Sequence, residues 1–139
     1  MRYLVVADRT ATSPELVERI RELCAGDPEP TYVTLLIPAR PASPALAVEA
    51  EAAANRTAQQ ATALFEQAGA RTVWTVIGDI SPLLAIEDEL NDHRREYEAL
   101  VLSTLPPGVS RWLRLDVHHQ AARKFDISII HVIAQSAAV

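Results

Sequence analysis

Asp8, Ser110 and Arg111 are the residues whose types and positions could do chemistry, and that chemistry is recognition of an anionic ligand. Ser110 closes a Pro-Pro-Gly loop, Thr104–Ser110, and precedes a segment with helical spacing, so it is a good N-cap. A helix starting there would aim free backbone N–H groups and the Arg111 guanidinium at one spot, with about half a unit of positive charge from the helix end. Thr104, Gly108 and Val109 belong to the same loop, which makes them candidate binding residues. Asp8 is the first polar residue after the apolar run Tyr3–Ala7. A carboxylate there either accepts bonds from a ribose or a base, or caps a turn with Thr10 or the first helix.

The other polar side chains point less clearly. Arg111 and Arg114, three apart, share a helix edge; they bind an anion or form a solvated face in which Arg114 pairs with Asp116 or Glu98. His118 and His119 are adjacent, which on a helix directs them about 100° apart, and with His93 and His131 no zinc spacing exists. No metal site is expected. Trp112 reads as a packing or interface residue, with base stacking as the alternative. There is no GxxxxGK(S/T) loop, no GxGxxG after the first strand and no GxSxG elbow. Nothing marks a nucleophile, and the loops lack the paired carboxylates or lysine of most catalytic schemes, so no catalytic residue is assigned.

The elements that must position these residues alternate regularly. Apolar runs at Tyr3–Ala7, Tyr32–Ile37, Thr72–Ile77, Ala99–Ser103 and Ile129–Ile133 predict five strands. Three helices start at Ser-Pro pairs, Ser13-Pro14, Ser43-Pro44 and Ser81-Pro82, where serine supplies a cap oxygen and proline suits the first helical position. The first buries Leu16, Val17, Ile20, Leu23 and Cys24 and ends at Gly26. The second carries Leu46, Ala50, Ala53, Ala61, Leu64 and Ala68 on one stripe and stops at Gly69. The third buries Leu83, Ile86 and Leu90. A fourth helix, Arg111–Phe125, places Leu113, Val117, Ala121 and Phe125 on one face. Strands that are apolar almost throughout are covered on both faces, and repeated βα steps give a parallel, doubly wound sheet. Such a sheet binds ligands beyond the carboxyl ends of its strands, here at Asp8–Ser13, Pro38–Ser43, Gly78–Ser81 and Thr104–Ser110, with Gly78-Asp79 read as a turn.

Composition sets the outer bounds. The 139 residues are the size of one domain, residues 1–139, and 49% are apolar, enough for a sizeable core. The net charge of −5 argues against nucleic acid as a partner. The single cysteine, Cys24, reads as a buried core thiol, and no apolar run approaches the roughly 20 residues of a membrane span. A cytoplasmic protein is expected. The Ile129, Ile130, His131, Val132, Ile133 strand carries neither proline nor a formal charge, so it reads as an open edge that would pair with a second copy to form a homodimer.

The whole chain resembles the universal stress protein family. The resemblance rests on the five βα steps, Asp8 at the end of the first strand, the Gly78-Asp79 turn, and STLPPGVSRWLRLD followed by the His pair and a final apolar strand. It implies a three-layer α/β/α fold of the adenine-nucleotide α-hydrolase-like kind, strand order 3-2-1-4-5, and a homodimer through the fifth strand. It names ATP or another adenine nucleotide as the ligand class, held by a G-x2-G-x9-G-S/T motif after strand four. The chain departs from that motif: Ser103 or Thr104 stands for the first glycine, Pro106 or Pro107 falls near the second, and Asp116-Val117 takes the place of the closing pair. Prolines remove N–H donors that phosphates need, and Asp116 adds an opposing charge. The reading that follows is a non-catalytic, dimeric stress-response domain with weak or altered nucleotide binding. The alternatives are an ATP or AMP sensor using a modified loop, and an enzyme acting on a phosphorylated or adenylated small molecule.

Overall fold

The computed structural model describes residues 1–93 and 96–135, without the side chain of Val73. Ten elements follow one another: β1 (Arg2–Val6), α1 (Pro14–Gly26), β2 (Tyr32–Arg40), α2 (Pro44–Gln67), β3 (Arg71–Asp79), α3 (Pro82–His93), β4 (Ala99–Thr104), α4 (Arg111–Arg114), α5 (Val117–Phe125) and β5 (Ser128–Ile133). The five strands form one sheet in the order β3-β2-β1-β4-β5, and every pairing is parallel. This is the order and three-layer architecture expected from the sequence.

The strands are continuously apolar because each feeds two cores. β1 sends Tyr3 and Val5, with Ala7 just beyond its end, into a cluster with Leu16, Ile20, Ala61 and Phe65 from α1 and α2. Leu4 and Val6 go to the other face, against Ile86 and Leu90 of α3 and Val117 of α5. β4 divides the same way, with Val101 on one side and Leu100 and Leu102 on the other. A buried polar pair, Tyr97 Oη donating to Glu89 Oε2 at 2.5 Å, sits on the α3 side, and burial raises the Tyr97 pKa. On the α1 side, burial and the nearby Asp27 carboxylate push Tyr3 up to about 12.

Four local expectations are corrected. The buried stripe of α2 is Ala54, Ala58, Ala61 and Phe65, while Leu46 is 60% exposed. Residues 44–53, the first turns of α2, are exposed or half-buried throughout, so their apolar residues meet solvent. Ser43 makes no side-chain cap bond, whereas Ser13 accepts from the Leu16 N–H. Pro38–Arg40 and Gly78-Asp79 are strand rather than loop, paired Pro38 to Gly78 and Arg40 to Asp79, with the Ile80 N–H closing on the Arg40 carbonyl at 2.9 Å. Gly78 serves close packing: a Cβ there would lie 2.8 Å from Ala85 Cβ and 3.1 Å from Leu36 Cδ1. Finally, the Arg111–Phe125 helix is two helices. Asp116 adopts a left-handed conformation, φ 56° and ψ 38°, which ends one helix after four residues and starts the next. The four-residue spacing of Leu113, Val117, Ala121 and Phe125 runs through that break and concealed it.

Candidate functional site

The carboxyl ends of β1 and β4, the neighbours that run to opposite sides of the sheet, open onto a cleft of about 410 Å³. Crossovers diverge at such a point, so the two loops separate and leave a crevice. One wall is the Asp8–Thr10 turn. The Ala11 N–H bonds the Asp8 carbonyl at 3.2 Å and the Ser13 N–H bonds the Thr10 carbonyl at 3.0 Å. The Thr10 hydroxyl shares a hydrogen bond with Ser103 Oγ at 2.6 Å, buried between the strands. Both alternative duties of the Asp8 side chain are therefore taken by other atoms: the turn by its own carbonyl, the α1 cap by Ser13. Its carboxylate has no hydrogen-bond partner among the described residues and lines the cleft. Burial raises its pKa, and Arg9 opposes that shift.

The opposite wall holds Thr104, Leu105, Val109, Ser110 and Arg111, with Trp112 and Leu115 behind them. Pro38, Ile80, Ser81 and Pro82 close the side nearest β3. Asp8, Thr104, Val109, Ser110 and Arg111 thus share one cavity. Gly108 stands in the loop at φ 92° and is absent from the lining. The loop does not work as the sequence suggested. The Val109 and Ser110 N–H groups both bond the Pro106 carbonyl, at 3.2 and 3.0 Å, and Ser110 Oγ accepts from the Leu113 N–H at 3.1 Å. A Pro-Pro-Gly turn folds back on itself and consumes the donors that were to face an anion. A four-residue helix also aligns too few peptides for a sizeable end charge. Arg111, exposed at the rim, and Arg9 are the cations of the cleft.

Arg114 pairs with neither expected partner. Asp116 faces Arg123 at 3.8 Å, and Glu98 accepts the Arg2 backbone N–H at 2.6 Å. Trp112 both lines the cleft and packs against the α3-side core. Within the lining, Ser103 entered the sequence reading of the ligand site only as a stand-in for the motif's first glycine, Ile80 and Ser81 only as part of the Gly78–Ser81 loop, and Leu115 lay outside every expected ligand loop. Ser103, polar at the end of a buried strand, gave the same signal as Asp8; Leu115, an apolar residue in a helical segment, gave none.

Thr104 connects the cleft to the sheet edge. Its hydroxyl shares a 2.8 Å bond with His131 Nε2 on β5. The His131 ring stacks on His118 at 4.9 Å, and burial, then His118 and His119, lower its pKa. His118 and His119 do not diverge as expected: their ring centroids are 4.0 Å apart, and ligand atoms of Asp116, His118 and His119 all lie within 4.8 Å of one another. Restarting the helix at Val117 puts both imidazoles in its first turn, beside the Asp116 carboxylate.

No protein-family model matches the sequence, and no curated protein does. Solved structures do match. The universal stress protein from Archaeoglobus fulgidus superposes with TM-score 0.64 at 18% identity, over 95% of this chain and 93% of that one. The same protein in complex with dAMP gives 0.63 at 17%, over 95% and 97%. A universal stress protein in complex with cAMP gives 0.58 at 17%, over 97% and 98%. The chain has the universal stress protein fold. No helix among the described residues is long and apolar enough to cross a membrane.

Proposed function

We propose that the cleft between Asp8 and Arg111 binds an adenine nucleotide with few phosphates, and that the protein is a non-catalytic, dimeric regulator of the stress-protein kind. The observation that carries the reading is the unpartnered Asp8 carboxylate, held by a rigid turn at the switch point of the sheet and facing a cationic rim. The cavity volume of about 410 Å³ lies in the usual range for small-molecule sites. Asp8 would accept from ribose hydroxyls or a base N–H. The Thr104 and Ser110 hydroxyls and Arg111 would take the phosphate end. Two similar folds hold dAMP and cAMP, each with a single phosphate. The occupied N–H groups of Val109 and Ser110, and the N–H groups that Pro106 and Pro107 lack, leave little to hold a triphosphate.

The absence of catalysis is argued from the cleft itself. Its described lining contains one carboxylate and no lysine, histidine or cysteine, so no acid–base pair faces a ligand there; the Thr104 hydroxyl is bonded to His131, but Thr104 is 2% exposed and His131 lies outside the lining. Dimerisation would use β5, which among the described residues pairs only with β4 and keeps Ile133 38% exposed and Ile129, Ile130 and His131 half-buried. Sedimentation should show a dimer at micromolar concentration that Ile130→Lys weakens. Isothermal titration tests the ligand. AMP should bind more tightly than ATP, and ATP more weakly than about 100 μM, or roughly −5.5 kcal/mol. Micromolar ATP binding that survives Arg111→Ala would refute both the ligand class and its location.

A further inference from the structure

We propose that Asp116, His118 and His119 form a binding site for a divalent d-block cation of the zinc class, separate from the nucleotide cleft. The site begins with a backbone break. Asp116 occupies a left-handed conformation that few residues other than glycine, asparagine and aspartate adopt, yet its carboxylate makes no cap bond to α5. Instead Oδ1 faces His119 Nδ1 at 2.7 Å and His118 Nδ1 at 4.0 Å. His118 Nδ1 is buried and has no hydrogen-bond partner among the described residues. A nitrogen taken from water and given nothing in return destabilises the fold. A cation between the three groups would satisfy it.

The donor set fits this class of metal. Two imidazole nitrogens and one carboxylate oxygen are the ligands of open zinc sites, in which water completes a tetrahedron. Hard cations such as magnesium and calcium prefer all-oxygen shells. With metal–ligand bonds of about 2.1 Å, neighbouring ligand atoms sit roughly 3.4 Å apart. The widest pair here must close by roughly 1.4 Å from the 4.8 Å limit, which side-chain rotation supplies. The surroundings already hold two of the ligands. Arg123 lies 3.8 Å from the other carboxylate oxygen of Asp116, and the His131 ring, tied to Thr104, stacks on His118. His119 is 65% exposed on its side chain, which leaves an entry path. The N-terminus of α5 opposes a cation weakly, and the Asp116 charge offsets it.

The test uses untagged, chelator-treated full-length protein and zinc or cobalt chloride alone. Zinc titration should show one saturable site with Kd below about 10 μM. Cobalt should give the intense visible absorption of a four-coordinate ion rather than the weak bands of the hydrated one. His119→Ala removes an exposed side chain, so its fold is not at risk, and it should weaken zinc binding at least tenfold. His118→Ala should do the same, with circular dichroism checking that it folds. His93→Ala, at the half-buried histidine that ends α3, and Asp8→Asn, in the cleft, should leave the titration unchanged. No saturable binding at 100 μM zinc, binding that survives His119→Ala, or cobalt spectra of the hydrated ion would each overturn the proposal. Because Asp8→Asn tests the nucleotide site separately, failure of one reading is distinguishable from failure of the other.

Discussion

The two walls of the cleft are built in opposite ways. The β1 wall is a short turn whose backbone groups bond one another and whose Thr10 hydroxyl is locked to Ser103 inside the sheet. The Thr10 hydroxyl and the Ala11 and Ser13 N–H groups are committed there, and the Asp8 carboxylate is not. The β4 wall is a Pro-Pro-Gly loop leading into a single helical turn, with Pro107, Gly108, Val109 and Arg111 exposed. It spends its donors on its own closure. The difference teaches that rigidity and donor supply need not coincide. A preorganised wall can offer one sharp acceptor, and a flexible-looking loop can offer almost no N–H at all.

The largest test of this contrast falls on the rigid wall. Ser103→Ala leaves the buried Thr10 hydroxyl unpaired and should lower stability by about 1–3 kcal/mol in urea denaturation, whereas adding Thr10→Val should recover part of the loss. Equal stability of the single and double variants would erase the distinction between the walls. Gly108→Ala on the other wall meets no atom within 4 Å, so only its φ of 92° is strained, and the loss should be about 1 kcal/mol. Asp8→Asn should raise stability at pH 7 by less than about 1 kcal/mol, since solvent in the open cleft moderates the burial cost of the charge. The sign follows from the raised pKa. Asp8 stabilises the fold fully only when protonated, below its usual 3.8, and that contribution is lost as the pH climbs through its folded-state value. The gain from asparagine should therefore shrink on acidification, which thermal melts across the acid range would check. Arg111→Ala should move stability by less than about 0.5 kcal/mol and show its effect only in ligand titration.

The sheet was readable because each level agreed. Apolar strands, Ser-Pro helix starts and alternating βα order all pointed to one doubly wound topology. The β1 wall was readable too, since a polar residue at the end of a buried strand has few places to go. The β4 wall was not. Whether the Val109 and Ser110 N–H groups face a ligand or the Pro106 carbonyl depends on how a Pro-Pro-Gly turn closes, and composition does not say. The break at Asp116 escaped because a four-residue apolar spacing is kept across it. The placement of His118 beside Asp116 and His131 needed that break, and β5 folded alongside, before it existed.

The burial of β1 from Tyr3 onward has a consequence in time. Leu4, Val5, Val6 and Ala7 are 0% exposed and lie between two covered neighbours, so no partial opening frees their amides. They should exchange with deuterium only when the whole domain unfolds, while the loop from Leu105 to Val109 exchanges through its own small openings. One wall of the cleft then keeps the slowest clock in the molecule, and the wall a few ångströms across from it keeps one of the fastest.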